Sequence, residues 1–367
     1  MSNRNNLVEL ERFLNSLIVV GYHIQSAFVG QYKYFFKNGA AAVEFFFVVS
    51  GYFFARSIEK INAKDEKNIV KDTFVFLKNK IKTILPVHIV CTVFLLIFAM
   101  IIDIHSFGKT LLNGLPGIFL VQMAIVWEDS MLMSFNIPEW YISTMLLCML
   151  AMTPISLLLR RKINGIFVTL ILFAFDVVIV VVVGILTNLP MLRTFVMDAR
   201  GWVEMCIGMF SYYFSCFIAK KEFNNWVTIL LTVFELLGYN VPIILGFVPI
   251  HVSMLPLIMG ITVLFSFFAL SITFSNKGLT IKKEKINNSF GFLGNISLPI
   301  YIFHAFVVKT LIGSRNIPIW AIFLISFSGT IILSIIYKFA YDGIKKLVEH
   351  KMPEEQNANS EIYIKLV

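Results

Sequence analysis

Long apolar runs broken by short polar links dominate this chain, and their length decides what they are. A helix needs about 20 mostly apolar residues to cross the ~30 Å of hydrocarbon in a bilayer. Ten stretches approach that length: residues 13–30, 40–55, 84–102, 140–159, 165–187, 201–219, 226–247, 252–274, 291–312 and 319–341. The expected fold class is therefore all-α, a polytopic transmembrane helical bundle of about ten transmembrane helices. One further apolar run, 115–127, contains Pro116 and Gly117 and is shorter than a spanning helix; it reads as interfacial or re-entrant. Residues 1–345 form one membrane domain, and the polar stretch 346–367 reads as a disordered cytoplasmic tail.

Composition agrees with this pattern. Of 367 residues, 58% are hydrophobic and 14% charged, and a mean hydropathy of +0.80 fits no soluble class. The net charge of +9 does not point to nucleic acid, because the cations fall on alternate links. One side holds Arg56, Lys60, Lys64, Lys67, Lys71, Lys78, Lys80 and Lys82, then Arg160, Arg161, Lys162, Lys220, Lys221, Lys277, Lys282, Lys283 and Lys285, and finally Lys345, Lys346 and Lys351. The other side holds mainly Lys33, Lys37, Lys109, Arg193, Arg200 and Arg315. Positive residues stay inside, so both termini are cytoplasmic and the number of spans is even. If 115–127 spanned, the later basic links would face outward. The first span is too long and too polar for a cleaved signal. Cys91, Cys148, Cys206 and Cys216 lie in apolar runs without metal-type spacing, so neither disulfides nor a metal is expected.

Polar groups inside spans are costly and face a bundle interior or a wet cavity. Arg12 and His23 stand about 16 Å apart along the first helix, three turns on one face. Imidazole suits proton transfer, and a base that takes a hydroxyl proton suits acyl transfer; a histidine bonded between helices and an inside-positive anchor are the alternative readings. Ser50 and Gly51 provide a close helix approach in the second span, with Glu44 on its outer side. Glu139, Trp140 and Tyr141 read as an outer-interface belt. Ser297, Tyr301 and His304 share one face of the ninth span. Asp176, Glu204 and Glu235 read as acids paired with helix-end amides or hydroxyls, or else as coupling groups of a transporter. The link 59–72 alternates lysines with acids and reads as a solvated loop or amphipathic segment.

In their order these elements resemble the membrane acyltransferase type 3 family. Glu9, Arg12 and His23 match its acidic residue, Arg, ten residues and His. Residues 42–52 match its second span, with Ala42, Glu44 and Tyr52 where Gly, Asp and Phe are usual. Lys78, Lys80, Lys82 and Pro86 match a basic segment that more often carries arginines. Trp140, Tyr141 and Ser143 match a Trp-Tyr-x-Ser element, and Ser297, Tyr301 and His304 a late Ser-x-x-x-Tyr-x-x-His element.

The resemblance implies acyl transfer, usually of acetyl from cytoplasmic acyl-coenzyme A, to a hydroxyl of a surface or exported glycan in the bacterial cytoplasmic membrane. Acyl-coenzyme A is then a co-substrate, with no permanently bound cofactor; the other partners are the acceptor and the lipid bilayer, and the oligomeric state is open. His23 is implied as general base or acyl carrier, with Arg12 orienting it or the donor. Arg56, Lys78, Lys80 and Lys82 are implied at the donor phosphates, and Glu44, Ser50, Trp140, Tyr141, Ser143, Tyr301 and His304 in the acceptor cavity. A transporter or flippase of a glycan or lipid precursor is the rival, but it calls for inverted halves with matching broken helices, which the sequence does not display.

Overall fold

A computed structural model describes residues 5–28, 35–64, 68–105, 107–124, 134–186, 192–248, 254–278, 284–312 and 317–350. Lys33, Lys67, Lys282, Lys283, Arg315 and Lys351 therefore lie outside the described residues, as do 125–127 of the short apolar run. The described chain forms eleven α-helices: α1 Asn6–Ala27, α2 Ala42–Asn62, α3 Ile69–Ile102, α4 Phe107–Ile118, α5 Trp140–Arg160, α6 Gly165–Leu186, α7 Leu192–Ala219, α8 Asn225–Phe247, α9 Leu255–Ser275, α10 Glu284–Leu311 and α11 Ile319–His350.

Among the described residues, nine helices are long and apolar enough to cross a membrane: α2, α3 and α5 to α11. At 22 residues α1 has the length as well, about 33 Å at ~1.5 Å per residue, but it carries Arg12, Asn15, Ser16, His23 and Gln25. It can carry them because it packs against α10, α11, α2 and α8. Val20 and Ile24 meet Ile296 and Ile300 of α10 in one core cluster, and Asn15 and Ser16 return their polar groups to the carbonyls of Glu11 and Phe13. Ten long helices, with α4 apart, leave residues 6 and 350 on the same side.

Several helices overrun the apolar stretches that announce them. The third span starts at Ile69, not at residue 84, because Asn68 caps the helix: its side chain accepts from the Lys71 N–H at 3.0 Å while Asp72 accepts from the Asn68 N–H at 3.2 Å. The expected cytoplasmic link thus ends at Asn68, and Lys71 to Lys82 lie on a helical extension. The last helix continues through Lys345 and Lys346 to His350, so the non-helical tail cannot begin at residue 346. The helix expected at 201 starts at Leu192, which moves Arg200 from an outer loop to two turns inside α7.

The core is built on close helix approaches. At the crossing of α2 and α7, a Cβ on Gly51 would run into the Met205 carbonyl and one on Gly208 into the Val48 carbonyl. Backbone meets backbone there, as small residues in membrane helices permit. On the inner side Glu59 of α2 takes a forked contact from Arg160, Nε at 2.7 Å and Nη2 at 3.0 Å, and the Tyr213 hydroxyl at 2.7 Å, tying α2, α5 and α7 together.

The short helix α4 settles the reading of the 115–127 run as far as it is described. From His88, α3 climbs to Ile102; α4 then descends from Phe107 until the Ile118 carbonyl accepts from His88 Nε2 at 2.9 Å. Its last turn therefore lies about 21 Å, fourteen residues at ~1.5 Å, below the outer end of α3. The segment is re-entrant. Helix α5 also starts at depth, since the Pro138 carbonyl accepts from Tyr301 in the middle of α10 at 2.6 Å. Glu139 (1% exposed) and Tyr141 (7%) are buried, which corrects their reading as an interface belt: the re-entrant segment, not the bilayer surface, delivers them.

Candidate active site

His23 of α1 faces His304 of α10, ring centroids 5.0 Å apart at an interplanar angle of 35°. His304 is fully buried, and among the described residues neither of its ring nitrogens makes a hydrogen bond of ordinary geometry; the backbone of Ile300 and Tyr301 on its own helix lies within polar reach. His23 is half-buried, with Tyr22 edge-on at 5.2 Å. Tyr301 lies 5.9 Å from His304 and 5.7 Å from Tyr141. Tyr141 donates to the Phe46 carbonyl at 3.1 Å, and its oxygen stands 3.0 Å from Ser50 Oγ. Helices α1, α2, α5 and α10 thus gather His23, His304, Tyr301, Tyr141 and Ser50 into one aromatic-walled site inside the bundle.

The other predicted residues divide. Arg12 pairs with Glu9 at 3.1 Å and stands within electrostatic reach of both Tyr141 and Lys80, which places it between the site and the start of α1. Lys78, Lys80 and Lys82 do not form one patch. Lys78 and Lys82, one turn apart, are exposed, whereas Lys80 on the opposite face of α3 is half-buried. Arg56 lies half-buried near Tyr52 and Tyr212. Glu44 and Trp140 belong to a second cluster: Arg200 sits 3.5 Å from Glu44 and from Glu204, with its guanidinium over the Trp140 ring at 5.2 Å. Ser143 serves the re-entrant segment, its Oγ accepting from the Met123 N–H at 3.2 Å. Of the other intramembrane acids, Glu235 accepts from Thr273 at 2.5 Å as a hydroxyl-paired acid does, while Asp176 Oδ2 has no hydrogen-bond partner among the described residues.

Sequence reading passed over His88. It is 2% exposed, and it ties three elements: Nε2 donates to Ile118 of α4, and Nδ1 lies 2.9 Å from Glu139 at the start of α5. A carbonyl can only accept, so Nε2 carries a proton, and one more proton is shared between Nδ1 and Glu139. This satisfies the Ile118 carbonyl at the inner end of α4; the Leu115, Pro116 and Gly117 carbonyls there already accept from the N–H groups of Phe119, Val121 and Leu120. The signal was present: an imidazole in the middle of an apolar run, two residues after Pro86.

The broken pair α4 and α5 is the sort of feature transporters place at the midplane. Among the described residues no second pair of this kind occurs in the later half, as an inverted repeat would need.

The four cysteines are free, with Cys91, Cys148 and Cys206 buried. The family model for an acyltransferase domain matches residues 7–339, nearly the whole chain and every helix of the site. No curated protein matches, and no solved structure matches.

Proposed function

The chain belongs to the membrane acyltransferase type 3 family, and from that premise we propose that it moves an acyl group, in the simplest case acetyl, from cytoplasmic acyl-coenzyme A to a hydroxyl of a cell-surface or exported glycan at the bacterial cytoplasmic membrane. The observation that supports this reading is the His23–His304 contact in the bundle interior, an imidazole pair on the path between Arg12 and the outer half of the molecule.

In the proposed reaction the thioester reaches His23 from the cytoplasmic side past Arg12 and Lys80, and the acceptor hydroxyl reaches it from the other. His23 takes the hydroxyl proton as the acceptor oxygen bonds to the thioester carbonyl carbon. The carbon–sulfur bond breaks, and the imidazolium returns the proton to the departing thiolate, leaving an ester and free coenzyme A. No net proton is gained or lost. His304 holds the His23 ring by packing against it. Tyr141 and Ser50 line the acceptor approach, and Tyr301 fixes the start of α5 through Pro138.

The discriminating experiment is purified protein in sealed liposomes with acetyl-coenzyme A on one side and a glycan on the other. An acyltransferase releases coenzyme A thiol in proportion to ester formed on the glycan. A transporter or flippase moves glycan with no thiol release, which would overturn the proposal.

A further inference from the structure

A groove of about 1090 Å³ runs along α7, lined by neither His23 nor His304. Its floor is one face of α7, with Arg200, Glu204, Ile207, Phe210, Phe214 and Phe217 recurring every three or four residues. Helix α9 forms a wall, where a Cβ on Gly260 would meet nothing within 4 Å. From Arg200 to Phe217 the floor runs about 25 Å at ~1.5 Å per residue, most of the ~30 Å of hydrocarbon. Beyond Arg200 and Glu204 at one end the lining is apolar apart from Tyr213, whose hydroxyl is spent on Glu59, so the occupant is a bilayer component.

The polar end identifies that component. The Arg200 side chain is 24% exposed, and the one hydrogen bond it makes among the described residues is Nη1 to the thioether of Met259 at 3.8 Å. Its buried Nε has none. Glu44 and Glu204 both stand 3.5 Å off, close enough for attraction but not aligned as hydrogen bonds. Buried guanidinium N–H groups seek oxygen acceptors, and the planar fork fits a phosphate. Glu204, on the groove floor and 4% exposed, stands against the Glu44 carboxyl, and its Oε2 makes no well-formed hydrogen bond among the described residues, so two acids beside Arg200 leave room for a donor next to the phosphate. A cation flanked by acids complements a phosphate flanked by an ammonium. We propose that the groove binds an aminophospholipid of the phosphatidylethanolamine class, its phosphate on Arg200, its ammonium towards Glu204 and its acyl chains against Ile207, Phe210 and Phe214.

The test is lipid retention by the intact protein, measured by native mass spectrometry after reconstitution in equal mixtures of phosphatidylethanolamine, phosphatidylglycerol and diacylglycerol with the same chains. Retention should rank in that order. Arg200→Gln should lower phosphatidylethanolamine retention about tenfold, the loss of one charge-assisted hydrogen bond. Gly260→Phe, which fills open space on the α9 wall, should lower retention of all three. Glu204→Gln should narrow the gap between the two phospholipids. Equal retention of the three lipids, phosphatidylglycerol above phosphatidylethanolamine, or retention indifferent to Arg200→Gln and Gly260→Phe would overturn the proposal. Because the readout is bound lipid, its failure would leave the acyl-transfer proposal untouched.

Discussion

His88 and His304 are both buried in the middle of spanning helices, yet one has each ring nitrogen engaged and the other, among the described residues, has neither in a well-formed hydrogen bond. His88 sits between a carboxyl and a carbonyl and fastens the inner end of α4 to α3 and α5. His304 spends its surroundings on a second imidazole that is itself half-buried. In hydrocarbon an unpaired polar group costs free energy, so the first arrangement is what stability selects. The second is what a bundle tolerates only where another demand is made of the residue. A saturated histidine holds the fold; an unsaturated pair is available to a substrate.

The sharpest way to break this comparison is on stability. Removing one partner of a buried ion-bonded pair costs about 3 to 5 kcal/mol, so His88→Ala should lower the denaturation midpoint markedly. Replacing His88 and Glu139 together by Leu should recover much of the loss, since a well-packed apolar pair is often neutral. His304→Ala should leave the midpoint much closer to wild type. If His304→Ala proved as destabilising as His88→Ala, the two sites would not differ in kind.

On activity the order should reverse. His304→Ala frees the His23 ring, and a misplacement of about 1 Å can cost 10²-fold in rate; steady-state kinetics should show the loss in kcat, with KM for acyl-coenzyme A little changed. A smaller effect sharpens the donor side. Lys80→Gln should raise KM for acyl-coenzyme A, whereas Lys78→Gln with Lys82→Gln, at exposed positions, should do so only at low salt, where surface charges are unscreened. Equal effects of the two at high salt would restore the three lysines as one patch. The architecture beneath both sites predicts that a cysteine at Lys109, on exposed α4, reacts with an impermeant thiol reagent from outside intact cells, and one at Asn68 only after the membrane is opened.

Most of the bundle was legible because each span is a contiguous run whose length and hydropathy speak for themselves. The exceptions have physical reasons. Helix α1 is too polar to pass as apolar, and was recognised by its length and spacing. Helix α3 gains its first four turns from a cap at Asn68 and Asp72, a local hydrogen-bond pattern that hydropathy does not register. The site was half legible. The spacing of Arg12 and His23, and of Ser297, Tyr301 and His304, placed each set on a helix face, but which faces meet depends on helix packing. That is why Glu44 and Trp140, grouped in sequence with the acceptor site, lie instead beside Arg200, and why Ser143 supports a re-entrant turn. His88 went unread because its partners, Ile118 and Glu139, are 30 and 51 residues away.

The central claim is that the interior imidazole pair does chemistry, and thiol release from acetyl-coenzyme A by His23→Ala protein in glycan-supplied liposomes tests it most directly. A positioned general base contributes about 10² to 10⁴ in rate, so the variant, folded and inserted at wild-type abundance, should lose at least about a hundredfold of its acceptor-dependent turnover. Turnover close to wild type in that same folded protein would contradict the account and return His23 to the class of histidines that only hold helices together.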